Sequence, residues 1–280
     1  MTVCIAAACR HEGHPALVLC CDERATRGTS VSSDDSDKVR RINDTLVVLL
    51  AGGRTAADEL FWAINDAVKR WTGTDTDEIQ ITEFKHSLER AISDRKRGLI
   101  DRYTRLNLGL SFEEFLERGK TVLTETHYLE TWSELRRINL GAELIVATFG
   151  QGEPVIMRIS ADAHVYWEDH FSTIGSGGPI AEAFLVQRPY HDTMNVSQCV
   201  ARVLEAKYAS ERNRDVGPTT LLEIITFNEK TEPQRYVLTD AAFQAYESHI
   251  VGYLQERPIM VPFSGELLEP FNDNRSEGRI

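Results

Sequence analysis

Residues 3–22, VCIAAACRHEGHPALVLCCD, contain two apolar runs joined by a polar turn. The runs, at 3–9 and 16–21, have the length and apolar character of buried strands. The linking letters RHEGHP include glycine and proline, which are typical of turns. The stretch therefore predicts a hairpin of two buried strands. Thr2 lies directly before the first strand, and Asp22 lies at the end of the second.

The next segments predict a second strand pair and then helices. The pair is KVRRI (38–42) and TLVVLLAG (45–52), turned by Asn-Asp. Apolar residues then recur at helical spacing, at Ala56, Leu60, Phe61, Ile64 and Val68. This helix begins near residues 54–55, and a second helix is expected over about residues 82–104.

Residues 105–140 are charged and helical in pattern, with no strand signal. We interpret them as a helical insertion. It could serve as a lid, as a docking element for a partner or simply as surface, and surface is the favoured interpretation.

Strands return after this insertion. AELIVATFG, PVIMRIS and HVYWED predict strands, and FSTIGSGGPIAEAFLV runs from a strand into a helix. VSQCVARVLEAKYASE predicts another helix, followed by the strands TTLLEIITFN and QRYVLTD and the helix AAFQAYESHIVGYLQ. Residues 258–280 are expected to form an irregular tail. Two sheets stacked between helix layers would bury all these apolar faces, which predicts one α+β domain over residues 1–280 with αββα layers.

Composition excludes some classes of function. The net charge is −12, which argues against nucleic-acid binding, because such proteins need basic surface to neutralise phosphates. No apolar run reaches the ~18 residues of a membrane span, so no membrane association is expected. The first residues lack the pattern of a secretion signal. We therefore expect a cytoplasmic protein.

The cysteines are expected to be buried reduced thiols. There are five of them, an odd number, and four lie in apolar runs. A zinc site drawing on Cys9, His11, His14, Cys20 and Cys21 is the alternative. The usual ligand spacing is missing, so a polar turn is the favoured interpretation of these histidines and no metal is expected.

Thr2 is a candidate nucleophile. If Met1 is removed, which a small second residue permits, Thr2 carries both a hydroxyl and a free α-amine. A threonine hydroxyl is a weak nucleophile and needs a nearby base. A free α-amine is partly neutral near physiological pH, so it can act as that base directly or through a water.

Other residues would support this chemistry. Lys38 could supply a positive charge that favours the neutral amine, and Asp22 could hold that lysine in place. Gly52 and Gly53 in LLAGGR could offer backbone N–H groups as an oxyanion hole. Ser176 in IGSGGP could hydrogen-bond the amine. Each signal has an ordinary explanation as a turn residue, a solvated charge or a loop, so their combination and order matter.

These motifs together resemble the proteasome-type threonine peptidases, which are N-terminal nucleophile hydrolases, and most of all the bacterial HslV branch. The resemblance rests on Thr2 before the strand and on CDERATRGTSV, DKVRRIND, LLAGGRTAADELF and IGSGGPIAEAF. It covers about the first seventy residues and then about residues 143–228. It implies the αββα fold of N-terminal nucleophile hydrolases.

The resemblance also assigns roles to residues. In the resemblance, Thr2 matches the nucleophile, Asp22 matches the buried acid and Lys38 matches the catalytic lysine. Gly52 matches the oxyanion-hole glycine, and Ser176 matches the supporting serine. The expected substrate-binding positions are Thr26, whose backbone would pair with an extended peptide, and Ala25, Arg40, Leu50, Gly53 and Arg54 around the pocket.

The chain departs from the family pattern in three places. The hairpin turn is longer, and the helical region has no counterpart in a minimal HslV-like chain. A further acid and serine of the family do not place uniquely, because Ser210, Asn213 and Asp215 are all candidates.

The resemblance implies a threonine endopeptidase that needs no cofactor and acts on peptides or unfolded proteins. It also implies a homo-oligomeric ring, which an ATP-dependent unfoldase could feed. Two alternatives remain open. The chain could be a catalytically inert ring subunit, or an amidase acting on a small amide, since fold does not fix substrate.

Overall fold

A computed structural model describes residues 2–22, 25–27, 30–33, 38–71, 81–188, 190–211, 216–227, 232–238, 243–246 and 268–270. The described chain forms two compact units. The first comprises residues 1–52, 144–158 and 167–280, and the second comprises residues 53–143 and 159–166.

The chain mixes strands and helices. The strands are β1 (Cys4–His11), β2 (His14–Asp22), β3 (Ala25–Arg27), β4 (Ser30–Ser33), β5 (Val39–Arg41), β6 (Val47–Gly52), β7 (Ala142–Gly150), β8 (Glu153–Ile159), β9 (Val165–Glu168), β10 (Phe171–Ile174), β11 (Thr220–Phe227), β12 (Pro233–Leu238) and β13 (Leu268–Pro270). The helices are α1 (Arg54–Trp71), α2 (Ile81–Leu108), α3 (Phe112–Val122), α4 (Glu125–Arg137), α5 (Gly178–Gln187) and α6 (Val196–Ser210). This composition agrees with the α+β prediction.

The first hairpin is confirmed. Strands β1 and β2 pair antiparallel from Cys4 opposite Cys21 to His11 opposite His14. Glu12 and Gly13 make the turn with φ of 50° and 87°. The hairpin lies inside a sheet with the order β10-β1-β2-β11-β12-β13, so both of its strands have neighbours on each side.

Alternate residues of this hairpin enter two different cores of the first unit. Val3, Ile5 and Ala7 pack in a cluster with buried residues of α5 and α6. Cys4 and Ala6 pack in a second cluster with buried residues of β6 and β7, which belong to the sheet β5-β6-β7-β8-β9. Side chains of a strand alternate between its faces, so both faces of β1 are covered. This explains why the run is apolar throughout.

The cysteines are buried and outside disulfides, as expected. Burial raises the pKa of the Cys20 thiol. A hydrogen bond with Cys4 and then burial raise the pKa of Cys21, and a hydrogen bond with Cys199 and then burial raise that of Cys9. A thiol with a raised pKa stays protonated at neutral pH, whereas only the thiolate is a good nucleophile or metal ligand. Among the described residues, no cluster of His, Cys, Asp and Glu is arranged to hold a metal ion.

An ion pair with a buried carboxylate joins the six-stranded sheet to the five-stranded sheet. Arg41 in β5 donates through Nε and Nη2 to both oxygens of Glu223 in β11, at 3.2 and 2.9 Å. The Glu223 side chain is 1% exposed. Arg235 Nε lies 3.9 Å from the same carboxylate. A buried carboxylate requires such partners, because its desolvation is costly.

Glu223→Ala is expected to lower the free energy of unfolding by about 3 kcal/mol, because two arginines lose their buried partner. Glu113→Ala is the matched control, since its partner Arg97 and Glu113 itself are 62% and 73% exposed. That exposed pair is expected to contribute no more than about 0.5 kcal/mol. Urea unfolding of both variants measures the difference. Equal losses would contradict the role assigned to Glu223.

The second unit contains the predicted helical region. Residues 105–140 comprise the end of α2 and the helices α3 and α4. Ser111 caps α3 in a reciprocal capping box with Glu114, and Thr124 caps α4. Phe115, Tyr128 and Leu135 form a small core there. The helical character is therefore confirmed, whereas the description of this region as an insertion stays a prediction.

Two further predictions fall partly outside the described residues. Residues 243–246 are helical, and the rest of the predicted helix around them lies outside that set. In the predicted tail, Leu268–Pro270 forms β13 and pairs antiparallel with β12. Within the part of the chain that the structure describes, no helix is long and apolar enough to cross a membrane.

Candidate active site

Thr2 is buried at the start of the first sheet, two residues before β1. Only 4% of the surface of Thr2 is exposed. Its hydroxyl donates to Asp22 Oδ1 at 2.9 Å, and its backbone N–H donates to Ser176 Oγ at 3.2 Å. Its carbonyl oxygen accepts the Gly177 N–H at 3.0 Å. Each polar group of Thr2 thus has a partner, and these partners come from two separate segments of the chain.

The hairpin register places Asp22 beside Thr2. Asp22 ends β2, and its N–H donates to the carbonyl of Val3 at 3.2 Å, so the two strand ends lie side by side. Asp22 is completely buried. Its Oδ1 accepts from Thr2 and from the Val3 N–H, and its Oδ2 accepts from the Gly217 N–H at 3.0 Å. Both carboxylate oxygens are therefore hydrogen-bonded, as burial requires.

Lys38 supplies the positive charge of this cluster. Its Nζ lies 2.9 Å from Asp22 Oδ1, the same oxygen that accepts from the Thr2 hydroxyl. Lys38 is 9% exposed. Its carbonyl accepts the Leu50 N–H at 2.9 Å, which ties the backbone before β5 to β6. The hydroxyl, the carboxylate and the ammonium thus form one buried network.

The turn between β10 and α5 closes the site around the Thr2 backbone. β10 pairs with β1, and Cys4 lies opposite Ile174. Gly175 follows with φ of 87°, and a Cβ at this position would lie 2.3 Å from the Thr2 carbonyl oxygen. A side chain at this position would therefore collide with Thr2. The glycine allows Ser176 and Gly177 to reach the Thr2 N–H and carbonyl.

Gly52 and Gly53 are consecutive residues that belong to different units, Gly52 to the first and Gly53 to the second. Gly52 ends β6, is exposed and has φ of 113°. Leu50 lies two residues earlier, and its carbonyl accepts from Cys4 Sγ at 3.4 Å. Gly53 and Arg54 belong to the second unit, where the Gly53 N–H donates to the Gly141 carbonyl at 2.9 Å.

The remaining predicted binding residues lie on strands. Ala25 and Thr26 are in β3, which pairs with β4 and shifts register between these two residues. Arg40 lies in β5 opposite Val48. Their assignment to substrate binding stays a prediction from the resemblance.

The structure places one of the three candidates for the further acid and serine. Ser210 ends α6, is buried, and donates through Oγ to the Lys207 carbonyl at 2.6 Å. Asn213 and Asp215 lie outside the described residues.

Sequence reasoning missed the donor from Gly217 and the buried Lys207. Gly217 precedes Pro218 in a pair that is typical of turns, and nothing in the sequence pairs its N–H with Asp22. Lys207 occupies a helical position that a solvated lysine would also suit. Neither residue carries a signal that a sequence pattern could have used.

Comparison with known proteins agrees with part of the sequence resemblance. A family model described as proteasome subunit matches residues 11–101. This segment contains Asp22, Lys38 and Gly52, whereas Thr2 and Ser176 lie outside it. No curated protein matches the chain. The match supports a proteasome-type relationship for residues 11–101.

Proposed function

We propose that this chain is a proteasome-type subunit in which Thr2 acts as an N-terminal nucleophile that cleaves peptide bonds. The observation that carries the proposal is the buried network of Thr2, Asp22 and Lys38. The Thr2 hydroxyl and the Lys38 ammonium each lie 2.9 Å from the same carboxylate oxygen, Asp22 Oδ1. The match to proteasome subunits supports the same class of protein.

Removal of Met1 would convert the backbone nitrogen of Thr2 from an amide into a free amine. An amide nitrogen cannot accept a proton at neutral pH, whereas a free α-amine can. That nitrogen already lies 3.2 Å from Ser176 Oγ. Ser176 would therefore hold the new amine in place, close to the Thr2 hydroxyl. The amine is the group that must deprotonate this hydroxyl.

Acylation then proceeds by nucleophilic attack. The Thr2 Oγ forms a bond to the carbonyl carbon of the substrate while its proton passes to the α-amine, directly or through a water. The negative charge that develops on the substrate oxygen would be stabilised by backbone N–H donation at Gly52. The α-ammonium gives this proton to the nitrogen of the scissile peptide bond, the C–N bond breaks, and the peptide amine leaves. An ester to Thr2 remains.

Deacylation uses the same groups. The α-amine takes a proton from a water, the water oxygen attacks the ester carbon, and the proton returns to Thr2 Oγ as the new carboxyl group leaves. Throughout, the Lys38 ammonium favours the deprotonated hydroxyl and the neutral amine by its positive charge. Asp22 keeps that ammonium and the Thr2 hydroxyl at one place.

We extend the proposal to fold and assembly by resemblance. The packing of β1 against α5 and α6 on one face and against β6 and β7 on the other supports the proposed αββα sandwich. A homo-oligomeric ring of the HslV type would enclose the sites, and a ring can be closed with one repeated interface. An ATP-dependent unfoldase would supply unfolded protein to it.

An inert ring subunit is the second candidate. With Met1 in place, the Thr2 nitrogen is a peptide N–H donor to Ser176. Its lone pair is delocalised into the peptide carbonyl, so it cannot accept the proton of the hydroxyl. The family match fits such a subunit equally well. Retention of Met1 therefore decides between the two candidates.

Intact mass spectrometry tests the proposal. The purified protein is expected to lack the mass of Met1 and to gain one adduct per chain from a peptide epoxyketone, a reagent that requires both a free amine and a neighbouring hydroxyl. Thr2→Ala lacks the hydroxyl, so it should form no adduct. Thr2→Ser keeps a hydroxyl beside the amine, so it should still form one. Retained Met1 without an adduct would overturn catalysis and favour the inert subunit.

A further inference from the structure

Lys207 is a buried cation in the first unit. It lies on α6 with 0% exposure, although lysine is seldom buried completely without a partner. Its Nζ donates to the Pro218 carbonyl at 2.9 Å and is hydrogen-bonded and ion-paired to Glu211, the residue that follows α6. The ring of Tyr208 lies 5.2 Å from it. Such a costly arrangement calls for an explanation beyond space filling.

The Pro218 carbonyl belongs to the segment that reaches the candidate active site. The residue before it, Gly217, donates its N–H to Asp22 Oδ2 at 3.0 Å. A side chain on Gly177 would meet Val216 at 2.7 Å, so the same segment also packs against the turn that binds the Thr2 carbonyl. Residues 216–218 thus contact both sides of the Thr2 site.

The ammonium of Lys207 is the link between this segment and a rigid element. Lys207 lies in the last turns of α6, and the Ser210 hydroxyl donates to its carbonyl at 2.6 Å. α6 itself packs on β1 and β2 through Val200, Val203 and Leu204. A hydrogen bond from a charged donor is stronger than one between neutral groups. This hydrogen bond therefore ties the Pro218 carbonyl to α6.

We propose that Lys207 is a positioning residue for the Thr2 site: it anchors residues 217–218 so that the Gly217 N–H stays on Asp22, and Asp22 stays on Thr2 and Lys38. Lys207 itself touches none of the reacting atoms. The effect on reaction rate rests on the proposed function, whereas the anchoring does not.

Lys207→Met tests this inference, because methionine keeps the length and bulk of the side chain without its charge or donors. Glu211 remains hydrated in this variant, since its side chain is 27% exposed. The double variant Lys207→Met/Glu211→Gln removes both charges, and it replaces the single variant in the test if that variant fails to fold. Lys69→Met, at an exposed lysine on α1, is the matched control.

Two measurements are made on each full-length variant. Amide hydrogen exchange at Gly217, resolved by fragmentation, reports the anchoring without any need for catalysis. Epoxyketone labelling at varied concentration gives the maximal labelling rate and the half-saturating concentration. A residue that only stabilises the fold would lower the labelled fraction and leave the maximal rate of the folded molecules unchanged.

In Lys207→Met, the exchange rate of the Gly217 amide relative to the parent protein is expected to rise. This increase should be at least about tenfold larger than the increase at amides of β1 and β2, because only a local anchor is lost. The maximal labelling rate should fall by roughly tenfold, with half-saturation within about twofold of the parent. Unchanged exchange at Gly217, or faster exchange with an unchanged labelling rate, would overturn the proposal. If the parent protein is not labelled at all, the proposed function fails, and exchange at Gly217 still decides the anchoring.

Discussion

Asp22→Asn is expected to abolish measurable labelling of Thr2, lowering its rate by about 10³-fold or more. Loss of a charged partner that orients a nucleophile has effects of this order. Asparagine keeps the shape of the side chain, but its NH₂ group cannot accept a hydrogen bond. Asp22 accepts from four donors at 2.8 to 3.0 Å, so at least one donor would then face another donor.

The same substitution is expected to destabilise the protein by about 3–5 kcal/mol, because it leaves the buried Lys38 ammonium without its counter-charge. Urea unfolding and the epoxyketone labelling rate measure the two effects. Asp162→Asn, at an exposed aspartate, is the matched control and should change neither. A labelling rate within tenfold of the parent protein would contradict the role of Asp22 in the network.

Gly175→Ala is expected to be the second most damaging single change. An alanine Cβ at Gly175 would lie 2.3 Å from the Thr2 carbonyl oxygen and 2.7 Å from its Cγ2. Real Cβ atoms do not approach backbone atoms so closely, so the turn or Thr2 must shift. We expect a loss of about 3 kcal/mol in unfolding free energy and at least about 10² in labelling rate.

Gly13→Ala separates this collision from backbone strain. Gly13 and Gly175 have the same φ of 87°, but a Cβ at Gly13 would meet nothing within 4 Å. The left-handed conformation costs an L-residue about 1–2 kcal/mol at either position. Thermal and urea unfolding of both variants therefore isolates the contact with Thr2. Equal losses, with labelling preserved in Gly175→Ala, would refute the tight fit around Thr2.

Much of the secondary structure could be predicted because it depends on local pattern. The continuous apolar runs around RHEGHP predicted the first hairpin, and helical spacing from Ala56 to Val68 predicted α1. The serine and glycines of IGSGGP predicted the strand-to-helix turn at Ser176. In these segments local preference and tertiary environment agree.

The candidate site was predictable only in part. Thr2, Asp22, Lys38 and Ser176 were selected by their order and by a resemblance, since spacing alone cannot bring residues 174 positions apart into contact. Their meeting results from register: Val3 pairs with Asp22, and β10 pairs with β1 on its other side. A one-residue slip of β1 against β2 would turn the strand's side chains to the opposite face.

The amino-acid sequence determined most of the strands and helices, the polar turn around Glu12 and Gly13 and the small residue after Met1. Those features follow from side-chain polarity and backbone preference, which act over a few residues. The tertiary structure decided that Lys207 is buried and that Gly217 donates to Asp22. Burial and hydrogen-bond partners depend on packing between distant segments. For that reason, a lysine on a helix and a glycine before a proline carry no sign of such roles in the sequence.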